Sequence, residues 1–317
     1  MWADVLAALL GLLAVILYAI LAGADFGGGV WDLLASGPRA VRQREAIGAA
    51  MGPVWETNHV WLIFLVVLIF TCFPSVFATL GIALFVPLSL ALLGIVLRGA
   101  AFAFRGPAYR DLPTHKVWGV IFGVSSLATP FLFGASAGGI ATGSFSWTRP
   151  MSIAVGFFAI ALCAQLAAVY LTVETRSALR GDFRQRAYYA TIAVAVAGLV
   201  ALATGAAGEP ALISHLRAPL PIAIIAIAML LGIVVLVLLR LDYVHWARVA
   251  VAAEVTAVLC AWYAAQAPYI LSELGVTAPA APHLTLLIFL WTCLLGGVVL
   301  VPSMLLLFAV FKREPID

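Results

Sequence analysis

Residues 3–34 read ADVLAALLGLLAVILYAILAGADFGGGVWDLL, an apolar run interrupted by only three charged side chains, Asp4, Asp25 and Asp32. An α-helix rises about 1.5 Å per residue, so roughly 20 mostly apolar residues carry it across the hydrocarbon core of a bilayer. This run exceeds that length. It has no basic residue ahead of it, carries Asp4 instead, and is too long for the apolar part of a cleaved signal peptide. Arg39, Arg42 and Arg44 follow it directly. The run therefore reads as a retained transmembrane span whose N-terminus lies outside.

The rest of the chain agrees with this start. Its 317 residues contain 17 Lys+Arg and 14 Asp+Glu; 10% are charged and 65% are hydrophobic, with a mean hydropathy of +1.14. Ordinary soluble domains have about 25% charged and about 45–50% apolar residues. A soluble protein of this size could not hide so much apolar surface, because its outer faces must stay wet. Disorder, collagen and secreted disulfide scaffolds are excluded by the same figures. The net charge of +3 is no nucleic-acid signal, since the bases sit in short clusters between apolar runs. Cys72, Cys163, Cys260 and Cys293 are scattered, with no C-x-x-C pair, and read as buried apolar thiols.

Nine segments are long and apolar enough to span: about 3–34, 53–72, 77–104, 116–137, 150–174, 188–208, 219–241, 246–271 and 284–311. Pro74 predicts a tight turn at Cys72-Phe73-Pro74-Ser75 between the second and third. No alternating strand pattern is present, which excludes a β-barrel. With nine spans and the N-terminus outside, fifteen of the seventeen Lys and Arg fall in inside loops or the C-terminal tail, and only Arg149 and Arg217 fall outside. The expected fold is an all-α integral membrane domain over 1–317, with a cytoplasmic C-terminus. Residues 1–140 and 150–272 are expected to form two four-helix bundles, and 283–311 a peripheral ninth helix.

Ionisable residues inside a span cost free energy and ask for a reason. Asp25, Glu56 and Arg98 all lie toward the cytoplasmic side. Glu56 and His59 are spaced i,i+3 and share a helix face; Asp25 and Asp32, seven apart, share another. Acids, a histidine and the amide of Asn58 at graded depth can pass a proton, or they can simply pair with Arg98. His59 reads first as a hydrogen-bonded interior histidine. Glu254 lies in the eighth span, with Arg248 as a local partner or its carboxyl snorkelling toward lipid headgroups.

Gly23, Gly27, Gly28 and Gly29 form a small face for close helix approach rather than a phosphate loop, since neither a preceding strand nor a P-loop lysine exists. Trp61 lies deep, as packing or as the wall of an apolar gas path. A transmembrane haem needs two axial side chains from facing helices. Of the five histidines only His59 is clearly inside a span, so a redox centre is expected mainly on another chain.

Two stretches carry a specific resemblance. Residues Gly23-Ala24-Asp25-Phe26-Gly27-Gly28-Gly29-Val30-Trp31-Asp32 resemble the first-helix signature of subunit II of cytochrome bd-type quinol oxidases. Residues Gly52-Pro53-Val54-Trp55-Glu56-Thr57-Asn58-His59-Val60-Trp61-Leu62 are similar to that family's second-helix motif, at the usual separation. Leu97-Arg98-Gly99-Ala100-Ala101-Phe102 is similar to its third-helix end. Weaker echoes follow at Tyr170-Leu171, at Leu284-Thr285-Leu286 and at Val301-Pro302.

The resemblance implies a subunit of a bacterial plasma-membrane complex that oxidises quinol and reduces O₂ to water, building a proton motive force. It implies haem b and haem d in a partner, subunit I. It also implies that a small single-helix subunit is a candidate partner, and that this haem-poor chain supports assembly and cytoplasmic proton delivery. By position, Asp25 and Glu56 match family acids linked to that delivery, and Trp61 matches a tryptophan near a proposed oxygen route. The chain departs from its relatives at Ala22, where many carry a second acid. It also departs at His59, where glutamine is frequent, and at Glu174, where a basic residue is common. The residues alone leave a secondary transporter open, because an intramembrane acid and arginine cluster also occurs there.

Overall fold

The computed structural model describes residues 2–51, 55–105, 115–266 and 280–311; at 55–57, which include Glu56, only the helical backbone is described. Twelve helices make up these residues, with no β-strand among them. The first half contains α1 (Trp2–Leu33), α2 (Ala40–Met51), α3 (Trp55–Cys72), α4 (Pro74–Ala83), α5 (Phe85–Phe104) and α6 (His115–Ala141). The second contains α7 (Pro150–Glu174), α8 (Ser177–Gly208), α9 (Pro210–Leu216), α10 (Pro219–Arg240), α11 (Val244–Gln266) and α12 (His283–Phe311). Prolines open α4, α7, α9 and α10 in the first helical turn, where the missing N–H would have had no intrahelical partner anyway.

Among the described residues, eight helices are long and apolar enough to cross a membrane. A ninth crossing follows if Asn58–Cys72 and Pro74–Ala83 are taken together, and these two are bent by 119° at Phe73. The turn expected from Pro74 is therefore present. The third apolar segment, read as one helix over 77–104, is instead interrupted at Leu84. Pro87 lies in the first turn of α5, where a ring without an N–H is tolerated, so a helix start just ahead of it suits the sequence.

Two further differences concern polar helices. Residues 40–51, read as a basic loop, form α2, which buries Gln43, Ala46, Ile47, Ala50 and Met51. The sixth span, expected from 188, belongs to a helix that begins at Ser177. A hydropathy window detects the membrane-spanning part of a helix and misses its wet extension.

The middle of the molecule is α7. Its apolar window is 67% buried, against 6% for α12. It packs against α1, α6, α8 and α11, while α5 lies on α6 and α10 on α11. The main core joins Val30 and Trp31 of α1, Ile47 and Met51 of α2, Leu171 of α7, Phe183 of α8, Val235 of α10 and Val251 of α11. The crossing of α1 and α7 is so close that a methyl group at Gly27 would overlap the Cys163 carbonyl. In a bilayer, where no hydrophobic drive separates helix from lipid, such close packing is a main source of helix association. Helix α12 rests on α1 and α3, with Leu286 among Ala3, Ala7, Leu68 and Cys72 and Phe289 stacked on Phe64 at 6.3 Å.

Ion pairs gather one end of the bundle. Arg39 after α1 pairs with Asp182 of α8, Arg105 after α5 with Asp32 of α1, Arg184 of α8 with Asp242 after α10, and Arg248 of α11 with Glu174 of α7. These segments are the loops that hydropathy and charge assigned to a common side. Arg149, assigned to the other side, pairs with Glu209 at the opposite ends of α7 and α8.

Candidate functional site

Tyr18, Asp25 and Asp32 are spaced seven apart on α1. Seven residues are nearly two helical turns, or about 10 Å, so the three form a column along one face. Arg98 of α5 and Arg105, which caps its end, have the same spacing. The two helices run parallel, and the columns meet rung by rung: Arg98 with Asp25 and Arg105 with Asp32.

The inner rung is buried, with Asp25 and Arg98 each 2% exposed. Arg98 Nη1 donates to Asp25 Oδ2 at 2.7 Å, and Nη2 donates to Oδ1 at 2.7 Å and to the Asp25 carbonyl at 3.0 Å. Its Nε donates to Ser126 Oγ at 3.0 Å. Four of the five guanidinium donors are thus used, in the two-pronged geometry that binds a carboxylate most strongly. The guanidinium also lies 5.3 Å from the Phe26 ring centre and 4.8 Å from that of Phe122. The Arg105 guanidinium lies 4.4 Å from the same Phe122 ring, so one ring of α6 separates the two cations. Helix α6 can stand between α1 and α5 because its neighbours are small: a methyl group at Gly29 would overlap Ser126, and one at Gly94 would overlap Thr129 Oγ1.

Beyond the inner rung the column continues into aromatic surroundings. Tyr18 and His59 have ring centres 6.0 Å apart, and Phe26 lies 6.3 Å from His59. The Tyr18 hydroxyl and His59 Nδ1 are both buried with no hydrogen-bond partner among the described residues. Two unsatisfied polar atoms on neighbouring rings are a natural place for an internal water. Asn58 is buried beside them and its Nδ2 donates to the Leu21 carbonyl at 3.3 Å, tying α3 to α1. The side chain of Glu56 lies outside the described residues; its backbone occupies the first turn of α3. Trp61 packs edge-on to Phe64 at 6.5 Å, and its buried Nε1 has no partner among the described residues.

The structure thus brings Asp25, Arg98, Asn58 and His59 into one region. His59 Nδ1 makes no hydrogen bond among the described residues. Glu254 corrects the reading. It is 4% exposed and does not meet Arg248, which reaches Glu174 at 3.8 Å. Gln165 Nε2 of α7 donates to Glu254 Oε2 at 2.8 Å and lies 3.2 Å from Thr191 Oγ1 of α8. Neither snorkelling nor a local ion pair occurs, because α11 turns this face into the bundle against Gly232 of α10. Tyr18, Arg105 and Ser126 were not singled out from the sequence. The heptad spacing of Tyr18 and Arg105 from residues that were is the signal that could have found the first two.

His59 faces Tyr18 and Phe26 rather than a second axial ligand, and His215, His245 and His283 are exposed. No group of three or more His, Cys, Asp or Glu side chains that could hold a metal ion occurs among the described residues. Among the described residues no second histidine faces His59 as the other axial ligand of a haem would.

A family model described as cytochrome bd terminal oxidase subunit II matches residues 3–311. The chain is 35% identical over 117 residues to cytochrome bd ubiquinol oxidase subunit 2 of Bacillus subtilis, covering 37% of this chain and 34% of that one. It is 28% identical over 218 residues to a probable cytochrome oxidase subunit 2 of Haemophilus influenzae, covering 63% and 55%. The sequence match therefore spans about a third of the Bacillus relative's length and about half of the Haemophilus one. A chain in the structure of bd oxidase from Geobacillus thermodenitrificans superposes with a TM-score of 0.81 at 21% identity, covering 98% of this chain and 99% of that one, a likeness of fold.

Proposed function

Because the chain belongs to the cytochrome bd terminal oxidase subunit II family, we propose that it is the haem-poor subunit of a quinol-oxidising, O₂-reducing complex in the bacterial plasma membrane. Its partner is then subunit I, which carries haem b and haem d. The haem supplies the electron transfer and oxygen chemistry in that chain. This chain braces the complex and conducts protons for water formation from the cytoplasmic side, where the end bearing Arg39, Arg105 and Arg184 lies. A small single-helix subunit is a further candidate partner. The helices divide into a first group (α1, α3, α5 and α6) and a second (α7, α8, α10 and α11), with α12 outside both.

The observation that carries the reading is the column on α1. Asp32 at the helix end and Asp25 inside are each held by an arginine, and the unsatisfied Tyr18 hydroxyl and His59 Nδ1 lie beyond them. Asp25 has both oxygens occupied by Arg98 and serves as a counter-ion. Glu56, one turn of helix from His59, then takes the part of the proton-loading group, with Asp25–Arg98 setting the local charge. Asn58 positions α3 on α1, and Trp61 walls the apolar side through which O₂ moves.

Purification from native membranes through a tag on this chain, followed by a reduced-minus-oxidised spectrum, tests the assignment. A larger co-purifying chain with b- and d-type bands and quinol-dependent O₂ uptake is expected. A stable colourless chain, alone and active in liposome uptake, would establish the transporter instead.

A further inference from the structure

A second polar site lies at the arginine-rich end, sharing no residue with the Asp25–Arg98 rung. Between the turn after α1 and the start of α8 is an open cleft of about 330 Å³, lined by Ser36, Gly37, Arg39, Gln185, Arg186 and Tyr189 among others. That volume lies at the small end of ordinary ligand clefts.

The charges in its wall do not cancel. Both oxygens of Asp182 are engaged: Oδ1 accepts from Arg39 Nη2 at 2.6 Å, and Oδ2 accepts from Arg39 Nε at 2.8 Å and Gln43 Nε2 at 2.9 Å. Arg39 and Asp182 neutralise each other. Arg186 is left without a carboxylate: its Nη2 donates to Gln43 Oε1 at 2.6 Å, and its guanidinium rests over Trp31 at 5.4 Å and Phe183 at 5.3 Å. Its Nη1 is buried and has no partner among the described residues. Arg186 thus brings to the cleft wall a cation with no carboxylate of its own among the described residues, and a group that enters beside it is preferably an anion.

The height of the cleft narrows the choice. Residues 177–187 of α8 carry Arg180, Asp182, Arg184, Gln185 and Arg186, and the apolar body follows. Tyr189, 61% exposed at that border, is the residue type that collects at the level of lipid headgroups. Basic pockets between transmembrane helices at this level suit anionic headgroups. We infer that the cleft between the α1–α2 turn and α8 is a binding site for a phosphate group, with Arg186 as its principal contact and an anionic phospholipid headgroup as the favoured bearer.

The test uses the complex purified through this chain, stripped of loose lipid by detergent washing and then offered phosphatidylglycerol in mixed micelles. Bound lipid is counted by native mass spectrometry. Wild type should retain phosphatidylglycerol about tenfold more tightly than Arg186→Gln, the loss expected for one charge-assisted hydrogen bond. Gln185→Glu guards against a folding defect in that variant. Gln185 donates only an exposed hydrogen bond to the Tyr189 hydroxyl, so a carboxylate there repels phosphate without disturbing the core. Inorganic phosphate is added as a competitor; displacement of the lipid with phosphate taking its place would make the free anion the occupant of the same site. Equal lipid retention in wild type and both variants, with no effect of phosphate, would overturn the proposal.

Discussion

Arg98 is the most demanding side chain in the molecule. It is a permanent cation within an apolar helix, and its charge is tolerable only because Asp25 meets it with two oxygens and a carbonyl. Removing one partner of a buried pair leaves the other charge uncompensated, at about 3–5 kcal/mol. Arg98→Met should therefore lower the thermal stability and yield of the assembled complex. Arg98→Lys, which keeps the charge but loses the fork, should fall between it and wild type; the check is a melting curve of the detergent-purified complex. Glu56→Gln separates chemistry from architecture. The amide is nearly the same size but carries no transferable carboxyl proton, so O₂ consumption should fall while the haem spectrum is retained. Unchanged turnover would remove Glu56 from the relay. Both residues were legible as intramembrane charges. Pairing of an acid with Arg98 was legible too, but not which acid, because Asp25 and Arg98 stand 73 residues apart and a guanidinium several ångströms long can reach more than one acid.

Among elements, the contact of α1 with α7 has least room to adjust. Gly27 faces the Cys163 backbone with no space for a methyl group, and backbone cannot rotate out of the way as a side chain can. Gly27→Leu should force the helices apart, shift Trp31, whose Nε1 donates to the Ala164 carbonyl at 2.7 Å, and reduce the amount of folded chain in membranes; a blot of membrane fractions measures this. Gly29→Ala, whose methyl would overlap both Oγ and Cβ of Ser126, should likewise force α1 from α6, since a rotamer change moves the hydroxyl but not the Cβ. Small-residue spacing made α1 legible as a packing helix. Helix α2 was not legible, since its twelve residues mix Arg42, Arg44 and Glu45 with alanines and do not reach spanning length. It gains its order from burying Ile47 and Met51 under α1 and α7.

For the whole molecule, ion pairs from α1, α5, α7, α8, α10 and α11 converge on one end. Orientation then becomes a single choice rather than one for each loop. With this end in the cytoplasm, a single cysteine at Ser177 should resist an impermeant thiol reagent in intact cells, and one at Ser146 should react. The reverse pattern would invert the molecule and place the Asp32–Arg105 rung at the outer surface, ending the case for cytoplasmic proton entry.

The long apolar spans, and the gathering of the basic loops at one end of the bundle, follow from the sequence by itself. Transfer from water to lipid depends on the composition of about twenty adjacent residues and hardly on what they later touch. Tertiary structure alone decided which acid meets which cation, that Glu254 faces Gln165 from 89 residues away, and that the Tyr18 hydroxyl and His59 Nδ1 are buried on neighbouring rings without a partner among the described residues. Those outcomes depend on helix rotation and crossing distance. Close steric fits such as Gly27 against Cys163 set both, and only the packed chain determines which glycine meets which helix.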